Sequence, residues 1–182
     1  MLSVSDDTAA ELFTKELGYQ ESHQGTTAAG VAIIRQDLEA DGLPVSQLVQ
    51  VDGSGLDRGD RASCNLIVQA LNRAGPTGTL AKGLPIAGKT GTLADRMIGT
   101  PAQGRLIAKT GTLDNVVSMS GFVLPVPGKP ATPALGQPLV FSLILNGPLN
   151  AGAQDVADKV GIALAGFPVL PPIKSLEPQT SR

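Results

Sequence analysis

The pentapeptide Lys-Thr-Gly-Thr-Leu is spelled twice, once from Lys89 and once from Lys109. An ammonium beside threonine hydroxyls and a glycine can hold an anion, either a carboxylate or a phosphate, so each copy is a candidate site. The first copy also completes G-x-x-x-x-G-K-[ST] through Gly83, Gly88, Lys89 and Thr90, the pattern of a phosphate-binding loop. That mechanism needs a buried strand running into the loop and a helix running out, so that backbone amides and the helix dipole face the phosphates. Here the approach is "GPTGTLAK", Gly91 stands where the helix should grow, and the apolar run that ends in aspartate, "LVQVD" at Asp52, precedes the loop instead of following it. A nucleotide-binding protein is therefore the weakest of the readings carried forward.

Other chemistries have little to work with. Cys64 is the only cysteine and His23 the only histidine, which excludes an internal disulfide and any multi-cysteine metal site. A Ser-His-Asp triad would have to use His23, which sits in the polar run "GYQESHQGTT" and reads as a solvated loop residue. Fourteen basic against sixteen acidic side chains give a net charge of −2, with four Phe, one Tyr and no Trp. Neither phosphate tracking nor base stacking has the means, so nucleic acid is not expected as a partner, and no metal or cofactor is expected either. No apolar run reaches the roughly eighteen residues of a membrane span. The opening "MLSVSDDTAAE" has neither a basic nor an apolar segment of a leader, so no export signal is expected in this chain.

The elements that must position these residues fall into helices first and strands second. With 182 residues, 42% of them apolar and 16% charged, the chain suits one globular domain. "SVSDDTAAELFTKELG" reads as a helix, with Thr8 and Glu11 at capping-box spacing and Gly18 as its stop. "TTAAGVAIIRQDLEADG" and "RASCNLIVQALNRAG" read as two more, each closed by glycine, the last with Leu66, Ile67, Ala70 and Leu71 on one face. Between them "VDGSGL" at Asp52 to Leu56 reads as a tight turn. Residues 75–104 are rich in Gly, Pro and Thr and read mostly as loop. Then follow three β-rich runs, "RLIAKTGT", "VVSMSGFVLP" and "PLVFSLILNG", whose order favours an antiparallel meander. "AQDVADKVGIALAG" closes as a helix offering Val156, Val160, Ile162 and Ala163 to the sheet, and residues 168–182 form a Pro-rich tail expected to be flexible. The fold class is α/β in the α+β sense, with N-terminal helices, then an antiparallel sheet covered by a C-terminal helix. The domain is expected over residues 1–167.

This context separates the two copies. Lys109 closes an apolar strand-like run inside the future sheet, whereas Lys89 follows Pro85 and Gly88 in the loop-rich stretch. The second copy is the better candidate for a rigid site.

Penicillin-recognising serine enzymes carry a Ser-x-x-Lys nucleophile, a Ser-Asp-Asn segment and a Lys-Thr-Gly strand. Ser5-Asp6-Asp7, "VDGSGLDRGDRASCNLIVQAL" and "GTLADRMIGTPAQGRLIAKTGTLDNVVSMSGFV" follow one another here. On these segments the chain resembles the C-terminal portion of the D-alanyl-D-alanine carboxypeptidase/endopeptidases, the class C low-molecular-mass penicillin-binding proteins. The resemblance covers nearly the whole chain and implies part of a serine β-lactamase/transpeptidase-like fold. In that family the first "GTL" lies in a connection and only the second copy acts, which makes Lys109 the motif and Lys89 an echo. Ser63-Cys64-Asn65 fits Ser-x-Asn by letter only, since it falls in a helix where Ser63 is a capping or surface residue.

The resemblance implies acyl transfer on peptidoglycan stem peptides, with β-lactams as inhibitors and an extracytoplasmic site of action. Ser5 would relay a proton towards the leaving amine, and Lys109 would place a positive charge near Ser5 and the substrate carboxylate. Thr110 and Thr112 would hydrogen-bond that carboxylate, Thr112 N–H would supply half of an oxyanion hole, and Gly111 would let the substrate backbone approach. Two departures stand out. No serine in the 182 residues has lysine three positions later, so the expectation is a fragment that begins after the nucleophile. Asp7 replaces the asparagine, and an ionised aspartate can accept but not donate. A non-catalytic stem-peptide binder is the alternative reading.

Overall fold

The computed structural model describes residues 1–126, 137–150 and 152–167. The expected tail, 168–182, lies outside the described residues, as does most of the Pro-rich connection before the last strand.

Helix α1 spans Asp7–Ser22 and helix α2 spans Thr27–Ala40. The cap of α1 is Asp6, whose Oδ1 accepts from Ala9 N–H at 2.9 Å. The Thr8–Glu11 box therefore does not form. Glu11 is spent on tertiary bonds, accepting from Thr27 Oγ1 on α2 and from Gly53 N–H at 2.7 Å. Gly18 does not end the helix either, which runs on to Ser22 and is closed by His23 in the left-handed region at φ 59°. The reason for glycine at 18 is packing. A Cβ there would lie 2.7 Å from Gly30 N, and one on Gly30 would lie 1.9 Å from the Thr14 carbonyl oxygen. The two backbones cross at a spot that admits no side chain.

Helix α3 spans Cys64–Ala74, with Ser63 as its cap, Leu66 and Leu71 buried, and Gly75 ending it at φ 72°. A single turn of helix, α4, covers Thr79–Gly83, and a 3-10 turn covers Gly91–Leu93. The remainder of 75–104 is turn and loop, as its composition predicts.

Strands β1 (Leu106–Leu113), β2 (Val116–Val123) and β3 (Leu139–Asn146) form an antiparallel meander in that order. Asp114 and Asn115 make the two-residue turn between β1 and β2, and the register sets Lys109 opposite Ser120 and Thr110 opposite Met119. Side chains alternate across the sheet. Leu106, Ala108, Met119 and Val123 join the core beneath helix α5 (Ala153–Gly166), while Ile107 and Phe122 join Leu71, Ala81 and Leu84 on the α3–α4 face. Lys109, two residues on from Ile107, points to the α3–α4 side.

The face that α5 turns to the sheet is the expected one only at Ile162, which packs against the core. Ala153, Ala157, Gly161 and Ala165 are buried, whereas Val156 and Ala163 are exposed and Val160 is half-buried. A Cβ on Gly161 would lie 2.8 Å from Leu106 Cδ1 and 2.9 Å from Met119 Cε. The helix rides so low on large sheet residues that only small residues fit beneath it.

Candidate active site

The turn Met1–Ser5 leads into α1, held by Asp6 N–H donating to Met1 O at 3.1 Å. It ends with Ser5 in the left-handed region at φ 56°, a conformation that a non-glycine residue keeps only where its surroundings impose it. That backbone aims the Ser5 hydroxyl at β1. Lys109 Nζ donates to Ser5 Oγ at 2.7 Å and to the Thr110 carbonyl at 2.5 Å. Residues 104 apart in sequence thus meet as one polar pair. Burial pushes the Lys109 ammonium below the ordinary lysine range, and the negative charge of Asp7, in the first turn of α1, pushes it partly back. The pairing makes Ser5 a hydroxyl whose lone pair faces a cation, poised to pass its own proton elsewhere.

The other residues of the Lys-Thr-Gly strand divide by face. Thr110 is 9% exposed, and its hydroxyl shares a 2.7 Å bond with the Thr92 hydroxyl. Thr112 is exposed at the far end of β1, and Gly111 lies between them. A Cβ on Gly111 would come 2.6 Å from Ser118 Oγ on β2, so the missing side chain also serves the sheet. Beyond Thr112 opens a groove of about 1320 Å³, floored by Thr112, Asn115 and Ser118 and walled by the Asp52–Arg58 loop. Ser5 and Lys109 lie outside its lining.

That loop is the tight turn its glycines predict. Asp52 Oδ1 accepts from Gly55 N–H at 2.5 Å and Oδ2 from Asp57 N–H at 2.9 Å, with Gly55 at φ 80°. Burial raises the Asp52 carboxyl, but these backbone donors outweigh it and hold it below its ordinary value. Asp60, deeper in the same loop, is raised by burial and by the charges of Asp52 and Asp57.

The first Lys-Thr-Gly copy lies elsewhere. Lys89 is exposed, with its side-chain end against Gly104. No strand runs into Gly83–Thr90, which follows the one-turn α4, and only a 3-10 turn leaves it. The arrangement lacks both parts of a phosphate loop. His23 is exposed, its ring edge-on to Tyr19, and Ser63 Oγ accepts from Leu66 N–H as a cap. What the sequence reading missed is Thr92, whose only signal was its place in the repeat.

An antiparallel meander flanked by helices, with a Ser-Asp turn reaching the lysine of its first strand, defines the class as a penicillin-binding-protein fold. The crystal structure of penicillin binding protein 4 from Haemophilus influenzae with a novel β-lactam superposes with a TM-score of 0.72 at 24% identity, over 85% of this chain and 35% of that one. At that identity the likeness is one of fold. Residues 1–166 match the D-Ala-D-Ala carboxypeptidase 3 (S13) family, and the chain belongs to it. It is 34% identical over 174 residues to the D-alanyl-D-alanine carboxypeptidase of Actinomadura sp., covering 91% of this chain and 31% of that protein. To penicillin-sensitive carboxypeptidase A of Dictyostelium discoideum it is 32% identical over 180 residues, covering 91% of this chain and 33% of that protein. The chain therefore spans about a third of the length of these curated relatives.

Proposed function

We propose that this chain supplies the Ser-Asp turn and the Lys-Thr-Gly strand of a serine D-alanyl-D-alanine carboxypeptidase/endopeptidase acting on peptidoglycan stem peptides outside the cytoplasm. The observation that carries the reading is the 2.7 Å bond from Lys109 Nζ to Ser5 Oγ. Family membership supports it. In this chemistry a serine from a Ser-x-x-Lys segment, which does not occur within these 182 residues, attacks the carbonyl carbon of the D-alanyl-D-alanine peptide bond. The lysine of that segment takes the serine's hydroxyl proton, and the C–N bond breaks as a proton is passed on through Ser5 to the leaving amine. Water then takes the acyl group, restoring the serine and releasing a carboxylate.

Lys109 favours the lone-pair side of Ser5 and draws the substrate's terminal carboxylate, while Thr110 and Thr112 offer hydroxyls to it. Thr112 N–H donates to the developing oxyanion, a contribution of about a hundred- to a thousand-fold in turnover. Gly111 keeps the strand bare for the incoming peptide. Asp7 cannot donate to the substrate as asparagine would, so its part is to orient and charge-balance Lys109. β-lactams would be inhibitors of the same acylation. No helix among the described residues is long and apolar enough to cross a membrane.

Asp7 favours a second reading, in which the chain binds stem peptides without cleaving them. Labelling with a fluorescent penicillin separates the two. The chain alone should stay unlabelled, and a form carrying a Ser-x-x-Lys segment ahead of Met1 should label, with Lys109→Ala slowing it by at least about a hundredfold. Failure of the longer form to label supports the binder. Labelling of the short chain would make one of its own serines the nucleophile.

A further inference from the structure

The first Lys-Thr-Gly-Thr copy touches both halves of the site. Thr92 N–H donates to the Ser3 carbonyl at 3.1 Å, two residues before Ser5, and Thr92 Oγ1 lies 2.7 Å from Thr110 Oγ1, next to Lys109. Gly91 makes the first contact possible, since at φ 60° a Cβ there would lie 2.1 Å from that same Ser3 oxygen. The 3-10 turn carrying Thr92 is fixed in its turn by Leu93, which is fully buried, and by Ala94 N–H on the Gly91 carbonyl at 3.0 Å. Thr92, itself exposed but next to the buried Leu93, thus meets the backbone of the Ser5 turn with its amide and the Lys109 strand with its hydroxyl.

We propose that Thr92 is a positioning residue that sets the Ser5 turn in register with the Lys109 strand. The turn before Ser5 is closed by Asp6 N–H on the Met1 carbonyl, and Thr92 N–H on the Ser3 carbonyl ties that closed turn to the segment beside β1. Thr110 also offers its carbonyl as the second acceptor of the Lys109 ammonium, so the residue that Thr92 bonds is one that Lys109 itself uses. The resemblance between the two copies hides a division of labour. In the second the lysine reaches Ser5 and Thr110 meets Thr92, while in the first Gly91 and Thr92 do the holding and Lys89 is exposed against Gly104. The geometric claim is independent of any substrate, and its bearing on catalysis rests on the carboxypeptidase reading.

Thr92→Val removes the hydroxyl at nearly constant shape, Thr92→Ser restores it, and Gly91→Ala disturbs the other tether. The first readout is the side-chain NMR titration of Lys109 in the 182-residue chain without ligand, where Ser5 and Asp7 are the groups facing it. Thr92→Val and Gly91→Ala should move the Lys109 midpoint up towards that of a solvated lysine, and Thr92→Ser should return it. The second is penicillin acylation in a form carrying Ser-x-x-Lys, where Thr92→Val should slow the acylation step by about ten- to a hundredfold with little change in initial affinity. A Lys109 titration unchanged in both variants overturns the inference, as does a change that Thr92→Ser fails to reverse. If Thr92→Val does not fold, Gly91→Ala against wild type decides on the same readout. A moved titration with no acylation in any form leaves the inference standing and sinks the carboxypeptidase reading instead.

Discussion

Lys109 works against the fold that holds it. Its ammonium is buried enough to sit below the ordinary lysine range, so between its folded value and that of a solvated lysine the unfolded chain binds more protons. Stability should therefore rise with pH across that window, and below it the fold bears the whole desolvation penalty. Lys109→Met should leave stability at neutral pH unchanged or higher by about 0.5–2 kcal/mol, read by thermal unfolding, while acylation in the longer form is lost. A clear fall in stability would mean that the Ser5 bond matters more than burial. Asp7 acts in the opposite sense on the same group. Because its charge favours the ammonium, Asp7→Asn should let Lys109 lose its proton at lower pH, moving the alkaline limb of the acylation profile towards neutrality. An unmoved limb would show that Asp7 and Lys109 are not coupled.

At the level of elements, two close crossings hold the parts that carry these residues. The α1–α2 crossing has no room for a methyl, so Gly30→Ala, whose Cβ would meet the Thr14 carbonyl at 1.9 Å, should cost about 1–3 kcal/mol in chemical denaturation. Helix α5 is tied to the segment behind the site by Arg96, whose Nη2 and Nε both reach Asp158 with side chains only 15% and 19% exposed. Arg96→Ala leaves Asp158 partly buried and unpaired and should cost about 2–3 kcal/mol, more than an exposed pair such as Arg58–Asp114 would. These crossings also mark where sequence reading stopped. The meander was legible because β-rich runs alternate with turn residues, and α3 because Ser63 and Gly75 bracket an amphipathic stretch. Gly18 misled because a glycine required by a neighbouring helix looks the same as one that ends a helix. The α5 face misled because apolarity marks what can be buried, whereas here the distance to the sheet selected alanine and glycine. Lys109 and Ser5 were legible as family motifs, while Thr92 acts through partners far away in the chain and leaves no local trace.

Over the whole molecule, α1 and α2 pack chiefly on each other, and the sheet packs on α3 and α5. The bonds that tie the α1–α2 hairpin and the turn before it to the rest include Arg73 on α3 to Asp41 at the end of α2, Glu11 to Gly53, Thr92 to Ser3, and Lys109 to Ser5. The Ser5–Lys109 pair thus joins the turn ahead of the hairpin to the sheet and lies inside neither group. A helical hairpin with few attachments can open by itself, at a free energy below that of global unfolding. Amide hydrogen exchange should show α1 and α2 protons exchanging sooner than those of β1 and β2, and equal protection in both would refute this division. Such an opening should loosen the turn that carries Ser5, which α1 continues, without melting the sheet. The lifetime of the assembled pair is then governed by the docking of a hairpin, and a ligand that bridges the two groups would slow exchange in α1 and α2 while leaving the strands as they were.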